Sequence, residues 1–442
     1  MKTSQNPSSL LLNVLVVALM TASTRPSDSG GTEPQRPSRK EASAAEIASW
    51  MWTDVENVRP PLPPAKDKAE VAPLAERLTA QQVYLWTHTE ARQKELAKMR
   101  SINPEWDLMA RSFAVWALAN QSLRHREQKA AHLALMDRII DETMQIEQER
   151  GGYYFLMPYA RGRPFVAQPP RSLFLDGEIA LMLAARRLVE EKEPYRRPLR
   201  ERVQEIVRRM ESGPVMCAES YPDECWMYCN TVALAAIRLS DRLDGSDHSA
   251  FFKKWLDTAK EKLVDRRTGL LVSSFALDGR VRQGPRGSSI WMSAHCLQLI
   301  DETFAAEQYR RAKQELGRNV LGAGYSREWP VSAKGTKDVD SGDVVPGLEA
   351  SAGASGLALV AARAFDDGEF FRGLQTSLAL FAAPEQRNGR LRYGASNQVG
   401  DAVILYASVL GPLWAEARKK PTATRGNKSP MAPMTPPTPP AR

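Results

Sequence analysis

The feature that most constrains how this chain can fold is an alternation of two kinds of helical segment. Residues 172–188 and five similar segments are apolar on nearly every side, and a helix without a polar face must be buried all round. Between them lie segments such as the one around Phe252, Leu256, Ala259 and Leu263, whose apolar residues recur every three or four positions, as on a surface helix. The all-apolar segments recur roughly every 50–60 residues, which indicates a repeated helical hairpin. They are residues 112–123, 172–188, 226–239, 290–304, 347–365 and 399–414.

Six such hairpins predict an all-α (α/α)6 toroid, in which an inner ring of buried helices lies inside an outer ring of amphipathic ones. Residues 73–100 would supply the outer helix that completes the last pair. An open solenoid is the alternative, but no polar capping repeat is evident in the sequence. In the closed ring, every loop that leads into an inner helix lies on the same rim. We therefore expect the polar and aromatic residues of those loops to form one site.

The two ends of the chain differ in composition from the toroid segment, residues 73–418. Residues 1–23 run from a lysine through an apolar stretch to small residues, which is the order of a secretory signal peptide and predicts an exported protein. The apolar stretch, residues 10–20, is too short to span a bilayer. Residues 24–72 are rich in Ser and Pro and residues 419–442 form a Pro-rich tail, so both are predicted to be extended or disordered.

The basic charge of the chain does not belong to the predicted toroid. The formal net charge is +8, but residues 1–40 carry +3 and residues 418–442 carry +6, which leaves the part between them close to neutral. A nucleic-acid-binding surface is therefore not predicted. The sequence also lacks a Walker loop and the G-x-G-x-x-G, G-x-S-x-G and H-E-x-x-H motifs, which argues against nucleotide-driven chemistry and against serine or metal hydrolysis.

The densest group of candidate residues lies in residues 217–231, which contain three of the four cysteines of the chain. Asp223 is positioned to cap the inner helix that follows, which would place Cys225 and Cys229 one turn apart on one face. The helix N-terminus would then lower a thiol pKa and let a cysteine move a proton. The alternatives are cysteines that only pack, or a disulfide. A zinc site that adds His295 to these thiols is a further alternative, although the usual C-x2-C spacing is missing.

The same stretch resembles the linalool dehydratase/isomerase family. That family joins a cysteine, a Pro-Asp, a second cysteine followed by Asn-Ser, and a turn of the form D-R-L-x-G-[ST]-D. Here the corresponding residues are Cys217, Pro222-Asp223, Cys229-Asn230-Thr231 and residues 241–247. The resemblance extends over residues 105–418. It implies an (α/α)6 toroid with a cofactor-independent site, in which paired cysteines and acidic or phenolic groups eliminate or shift the hydroxyl of an allylic terpene alcohol.

The chain departs from the family pattern at three places. The first family cysteine corresponds to Cys217 only if a three-residue insertion is allowed, and without a gap Ser220 takes its place. Glu178 stands where the family has a histidine, and His295 stands where it has a tyrosine. A carboxylate and an imidazole suit acid–base chemistry but make the pocket more polar than a terpene requires.

We therefore predict a cofactor-independent and metal-independent lyase or isomerase that uses general acid–base chemistry on a small, alcohol or terpenoid-like substrate. The predicted catalytic residues are Glu178, Cys217, Cys229 and His295. The predicted substrate-binding residues are Asp176, Tyr221, Asp223, Trp226, Asn230, Trp291 and Tyr393.

Two other functions fit the same sequence. Toroids of this architecture commonly act on glycans, and aromatic residues of the rim such as Trp106 and Trp291 would stack on sugar rings. The other possibility is a non-catalytic ligand-binding or scaffold protein that kept the fold without the chemistry. Cysteines that point into the core, away from the rim, would favour this last interpretation.

Overall fold

The structure, a computed structural model, describes residues 68–333, 341–342 and 344–419, with side chains from residue 74 onward. The predicted signal peptide at 1–23 lies outside these residues, as do nearly all of the segment 24–72 and of the tail 419–442. No helix in the described part of the chain is both long enough and apolar enough to cross a membrane.

Six helices form an inner ring. Each packs against the next along the chain, and the last packs against the first, so the ring is closed. This confirms the predicted (α/α)6 toroid and excludes the open solenoid. The inner helices are α3 (Glu105–Arg124), α5 (Leu173–Val189), α7 (Met227–Asp244), α9 (Gly287–Leu297), α11 (Ala352–Ala364) and α13 (Gln398–Val409).

The outer ring is formed by amphipathic helices that run back between the inner ones. These are α1 (Lys68–Thr87), α4 (Lys129–Arg150), α6 (Glu193–Ser212), α8 (Ser249–Lys262), α10 (Glu302–Leu316) and α12 (Gly368–Phe381). As predicted, α1 completes the last pair by packing against α13. A further helix, α2 (Thr89–Arg100), links α1 to the ring, and short 3-10 turns occur at Arg126–Gln128, Gly152–Phe155 and Pro158–Gly162.

Burial follows the sequence pattern of the two rings. Helix α5 buries every residue except Leu188, whereas α8 buries only Phe251, Phe252, Trp255, Leu256 and Ala259. Helices α5 and α7 approach closely at Gly177, because a Cβ there would lie 3.3 Å from the backbone nitrogen of Ala233. This close approach brings the start of α5 next to the start of α7, where several of the predicted site residues lie.

A short helix, α14 (Pro412–Ala417), closes the ring at the C-terminal ends of the inner helices. The sequence predicted one helix over residues 399–414, but α13 ends at Val409 because Gly411 has φ +128° and Pro412 cannot continue the hydrogen-bond ladder. The backbone N–H of Leu413 donates to Asn120 Oδ1 at 3.0 Å, near the end of α3. This end of the ring is therefore closed, and a ligand would enter from the other end.

Small antiparallel strands lie in the loops that precede the inner helices, at the open end. A three-stranded sheet contains β1 (Cys225–Trp226), β2 (Ser274–Phe275) and β3 (Val281–Gln283), in that order. Three strand pairs follow: β4 (Gly317–Val320) with β5 (Ala323–Ser326), β6 (Val344–Val345) with β7 (Ala350–Ser351), and β8 (Pro384–Arg387) with β9 (Arg390–Tyr393). The helical periodicity gave no indication of these strands. They fix the loops that shape the open end.

Candidate active site

A cavity of about 850 Å³ occupies the open end of the ring, above the N-terminal ends of the inner helices. Its wall is mostly apolar and is formed by residues of α2, α12 and all six inner helices, together with the β4–β5 pair and the loops before α7, α11 and α13. Among its polar wall residues, Cys229, Tyr228, Tyr221 and Glu105 come from the loop-to-helix corners of α3 and α7. Mostly apolar pockets with a few polar groups are typical of small-molecule sites.

Cys229 is the predicted catalytic cysteine that lines this cavity. It lies in the first turn of α7 with 7% of its surface exposed, and Tyr228 beside it also faces the cavity. The helix N-terminus was expected to lower the thiol pKa. Instead, burial raises the pKa of the Cys229 thiol well above its usual value, because desolvation disfavours the charged thiolate. The side chain is therefore a protonated thiol at neutral pH.

Ser220 lies beside the Cys229 thiol and opposes the effect of burial on its pKa. Cys217 is elsewhere: it is fully buried next to the Trp255 indole of α8 and is absent from the cavity wall. Burial raises the pKa of the Cys217 thiol too. The ungapped correspondence with the family pattern, which puts Ser220 at the first cysteine, is thus the one that matches the geometry.

Asn230 holds the loop that carries Ser220. Its Oδ1 accepts the backbone N–H of Ala218 at 3.1 Å, and its Nδ2 donates to the carbonyl of Trp226 at 2.8 Å. The amide is fully buried, and it is not among the residues that line the cavity. Asn230 was predicted to bind substrate, and the structure places it one layer behind the wall, where it positions the loop.

A carboxylate that the sequence analysis did not select, Glu105, lines the cavity at the start of α3. The Tyr221 hydroxyl donates to Glu105 Oε1 at 2.5 Å and accepts the backbone N–H of Met157 at 2.9 Å. Tyr221, a predicted substrate-binding residue, also faces the cavity. Burial, and then the charge of Glu105, raise the pKa of Tyr221. A signal for Glu105 was present, since it opens the inner helix directly after Pro104 in one of the rim loops.

Glu178 lies beneath the cavity, behind Tyr228, and is not part of the wall. Ser112 and Tyr228 are its polar neighbours, but the Ser112 hydroxyl donates to the carbonyl of Leu108 at 3.1 Å. Within the described residues, neither carboxyl oxygen of Glu178 nor the Tyr228 hydroxyl has a hydrogen bond of acceptable geometry. Burial raises the pKa of Glu178 to about 8, and Ser112 and Tyr228 only partly oppose it. Glu178 is therefore a buried carboxylic acid at neutral pH.

The two predicted aspartates form ion pairs away from the cavity wall. Asp176 accepts from Arg171 at 2.7 Å and from Arg202 at 2.6 Å. Asp223 pairs with Arg282 and has φ +52° in a turn, so it is not the helix cap that was predicted. Helix α7 begins at Met227, four residues later.

The later start of α7 also corrects the prediction for Cys225. This residue lies in strand β1, paired with Phe275, and not on the helix face one turn from Cys229. All four cysteines are free thiols, and Cys225 and Cys296 are fully buried like Cys217. The disulfide alternative is therefore not observed.

The remaining predicted binding residues are divided between three places. Trp226 lines the main cavity, and Tyr393 lines a smaller adjoining cavity of about 70 Å³ together with Asp401. Trp291 is fully buried away from both, where its indole N–H donates to Ser326 Oγ at 2.8 Å and its ring packs against Tyr309. Periodicity could not distinguish these places, because it does not show which face of an inner helix points to the axis.

His295 lies at the closed end of the ring. Its ring stacks on Trp414 of α14, with centroids 4.5 Å apart, and its Nε2 is 2.8 Å from the Tyr406 hydroxyl. Burial lowers the pKa of His295 to about 3, so the imidazole is neutral. The structure thus does not bring His295 together with Cys229, as the zinc alternative required. In the described part of the chain, no three His, Cys, Asp or Glu side chains are grouped to hold a metal ion.

Residues 177–399 match the linalool dehydratase/isomerase family, which includes the loop and helix that carry Cys229. Solved structures with a similar chain path include an α-1,6-mannanase of glycoside hydrolase family 76 from a Salegentibacter species. It is 12% identical, with 78% of this chain and 98% of that chain covered and a TM-score of 0.49. A family 76 α-mannanase of Bacteroides thetaiotaomicron is also 12% identical, with 68% and 84% covered and a TM-score of 0.45. Identity this low says nothing about the reaction.

Proposed function

The chain belongs to the linalool dehydratase/isomerase family, and we propose that it is a cofactor-independent lyase or isomerase that removes or shifts the hydroxyl group of a small, largely apolar alcohol. The observation that carries this proposal is the position of a protonated thiol, Cys229, in the wall of a mostly apolar cavity that also contains the Glu105–Tyr221 pair. An acid and a proton acceptor on one cavity are what elimination of water requires.

The shape and lining of the cavity suit a hydrocarbon with one polar group. About 850 Å³ lies within the range of roughly 300–1,000 Å³ that small-molecule sites have. Phe174, Met109, Leu357 and Ile404 contribute apolar surface to its wall. A substrate hydroxyl near Cys229 would therefore be the polar end of a ligand whose remainder is desolvated against these side chains.

In the proposed elimination, the Cys229 thiol gives its proton to the substrate hydroxyl, the carbon–oxygen bond breaks, and water leaves. A carbon–hydrogen bond next to the cation then breaks, its electron pair forms the double bond, and the proton passes to Glu105. The Tyr221 hydroxyl donates to Glu105 and so stabilises the carboxylate that accepts the proton. Return of the proton from Glu105 to the Cys229 sulfur restores the starting state. In isomerisation, the water instead adds at the other end of the allylic cation, and the proton that it loses returns to the Cys229 sulfur.

The burial of Cys229 and of Glu178 is consistent with the assignment of Cys229 as the acid. A thiol with a raised pKa is a poor nucleophile but keeps its proton until a substrate oxygen accepts it, so Cys229 acts as an acid in this scheme. Glu178, protonated beneath Tyr228, would supply a polar and uncharged floor. Cys217 and His295 take no part in the proposed reaction, since neither borders the cavity.

The test is a product screen with the full-length protein. Acyclic primary and tertiary allylic alcohols are incubated with it, and water loss or hydroxyl migration is followed by gas chromatography and mass spectrometry. We expect conversion by the wild type and by Cys217→Ala, and none by Cys229→Ala with unchanged circular dichroism. Failure of every alcohol in the panel, or equal conversion by Cys229→Ala, would contradict the proposal.

A glycan-active enzyme is the second candidate, because Trp106 and Trp226 both border the cavity, and because Glu95 and Glu105 supply two carboxylates to its wall. The mostly apolar remainder of the wall favours the first candidate. Release of reducing sugar from oligosaccharides, abolished by Glu105→Gln and by Glu95→Gln, together with no conversion of alcohols, would favour the second.

A further inference from the structure

Large apolar side chains are exposed around the entrance of the main cavity. They are Ile102, Val320, Leu321 and Leu380, with exposed fractions of 62%, 39%, 88% and 52%. Ile102 and Val320 border the cavity, Leu321 follows Val320, and Leu380 lies between the bordering residues Leu378 and Phe381. We call these four residues the apolar lip.

A leucine at position 321 is unfavourable for folding in two ways: its backbone has a positive φ, and its side chain is exposed. This indicates that the side chain serves a purpose outside the fold. It forms the tip of the β4–β5 hairpin, where Val320 pairs with Ala323 and the two turn residues have φ +52° at Leu321 and +86° at Gly322. Such a turn favours Asn, Asp or Gly at its first central position, because other side chains are strained at positive φ. Leu321 therefore neither suits the turn conformation nor stabilises the fold by burying its side chain.

Exposed apolar residues belong to this end of the ring and not to the other. Val166 and Val281, which lie in the loops before α5 and α9, are also exposed at the open end. Within the described residues, no turn at the α14 end exposes a large apolar side chain.

The entrance also carries cations that the fold does not neutralise. Lys98, one turn before Ile102, borders the cavity, Arg318 lies in the hairpin that carries Leu321, and Arg387 lies in the neighbouring β8–β9 hairpin. None of the three forms an ion pair with another described residue. Two nearby carboxylates, Glu95 and Glu385, both pair with Arg392. Glu349 is a third, since Leu348 and Ala350 both border the cavity. Among the described residues around the lip, the cations therefore outnumber the carboxylates.

We propose that the apolar lip docks the open end of the toroid on an anionic lipid surface. Protruding apolar side chains would enter the acyl region while the surrounding cations contact lipid phosphates. The cavity opens inside the lip, so an apolar ligand would pass between the bilayer and the cavity without crossing water. Neither the reaction nor its substrate is needed for this docking, which goes beyond the proposed function.

A lipid surface fits the lip better than a second copy of the chain. Four protruding side chains fall far short of the roughly 20–30 residues a side that a stable protein interface uses. Insertion into a bilayer instead needs only a few apolar residues at a protruding point, ringed by basic groups. The hairpin tip at Leu321 and the cations at Arg318 and Arg387 have this arrangement.

Sedimentation of the full-length protein with vesicles tests the proposal, with no substrate present. One set of vesicles is phosphatidylcholine alone, and the other contains phosphatidylcholine and phosphatidylglycerol in a ratio of three to one. We expect the wild type to bind the anionic vesicles, and Leu321→Asn to bind them about tenfold more weakly. Asn is favoured at positive φ, so this variant should fold at least as well as the wild type. Arg387→Gln should weaken binding to the anionic vesicles alone, by about fivefold.

Val83→Thr is the matched control, because Val83 is an exposed apolar residue of α1 that does not border the cavity. It should bind as the wild type does, and the apolar run at residues 10–20 is present in every variant, so differences among them report on the lip. Absence of binding to either vesicle would overturn the proposal. So would unchanged binding by both Leu321→Asn and Ile102→Ser, or a dimer in light scattering that Leu321→Asn dissociates.

Discussion

Ser220, and not Cys217, is the neighbour of the Cys229 thiol. The two cysteines that the sequence suggested as a pair are therefore not equivalent. Cys229 borders the cavity, whereas Cys217 lies next to Trp255 between the inner and outer rings.

Alanine substitutions should distinguish the roles of these two cysteines. We expect Cys229→Ala to lower kcat at least about 100-fold, because it removes the proton donor. Cys217→Ala should leave kcat within about twofold and lower the free energy of unfolding by about 1 kcal/mol, because it removes a small packed group. Steady-state kinetics and urea denaturation measure the two effects. A large loss of turnover in Cys217→Ala with normal stability would return this cysteine to the active site.

Tyr221→Phe should impair turnover without loosening substrate binding. It removes the hydroxyl that donates to Glu105, so we expect kcat to fall about 10- to 100-fold while KM changes little. Tyr159→Phe is the control, since the Tyr159 ring stacks on Tyr221 at 4.8 Å but its hydroxyl donates to Glu224, outside the cavity wall. Equal losses in the two variants would contradict a specific role for the hydrogen bond from Tyr221 to Glu105.

Glu178→Gln should change how stability depends on pH. The carboxyl titrates near pH 4.5 in the unfolded chain and near pH 8 in the folded one, so the folded state loses stability as pH rises between these values. The full effect amounts to roughly 3 to 6 kcal/mol. Glu178→Gln removes this pH dependence, so the stability of the variant relative to the wild type should increase as the pH rises to 8. Denaturation at a series of pH values measures this, and parallel curves for the two proteins would refute the assignment.

His295→Leu should lower stability and spare turnover. The substitution leaves the Tyr406 hydroxyl without its partner at 2.8 Å, which costs about 1–3 kcal/mol. Tyr406→Phe added to it removes the unpaired group, so the double variant should recover part of the loss. Thermal denaturation and kinetics of the three variants measure this. A drop in kcat with an unchanged Tm would show that His295 reaches the reaction after all.

The fold could be predicted because the signal for it is repeated along the chain. Helix α5 is buried all round and α8 on one face only, and the same contrast recurs in each hairpin, so errors at individual boundaries do not matter. Two predicted boundaries were wrong: Gly411 and Pro412 divide the last predicted segment, and α7 starts at Met227 instead of next to Asp223.

The site was harder to predict, because the direction of a buried side chain depends on packing between helices distant in sequence. Cys229, Tyr221 and Trp226 line the cavity, and so does Glu105, which the sequence analysis did not select, whereas Trp291 is buried away from it. His295 shows the same difficulty along the helix axis. It lies on an inner helix, as expected, but near the C-terminal end of that helix, which α14 covers.

Closure of the ring joins parts of the chain that are far apart in sequence. The contact between Asn120 and Leu413 spans 293 residues, and α3 packs against α13 along the same seam. Neither half of the protein can therefore assemble the pocket alone, and the closed end is completed only when α14 is in place. During synthesis, the first inner helix therefore keeps an uncovered apolar flank until α13 is made, and this seam is the last part of the inner ring to be buried.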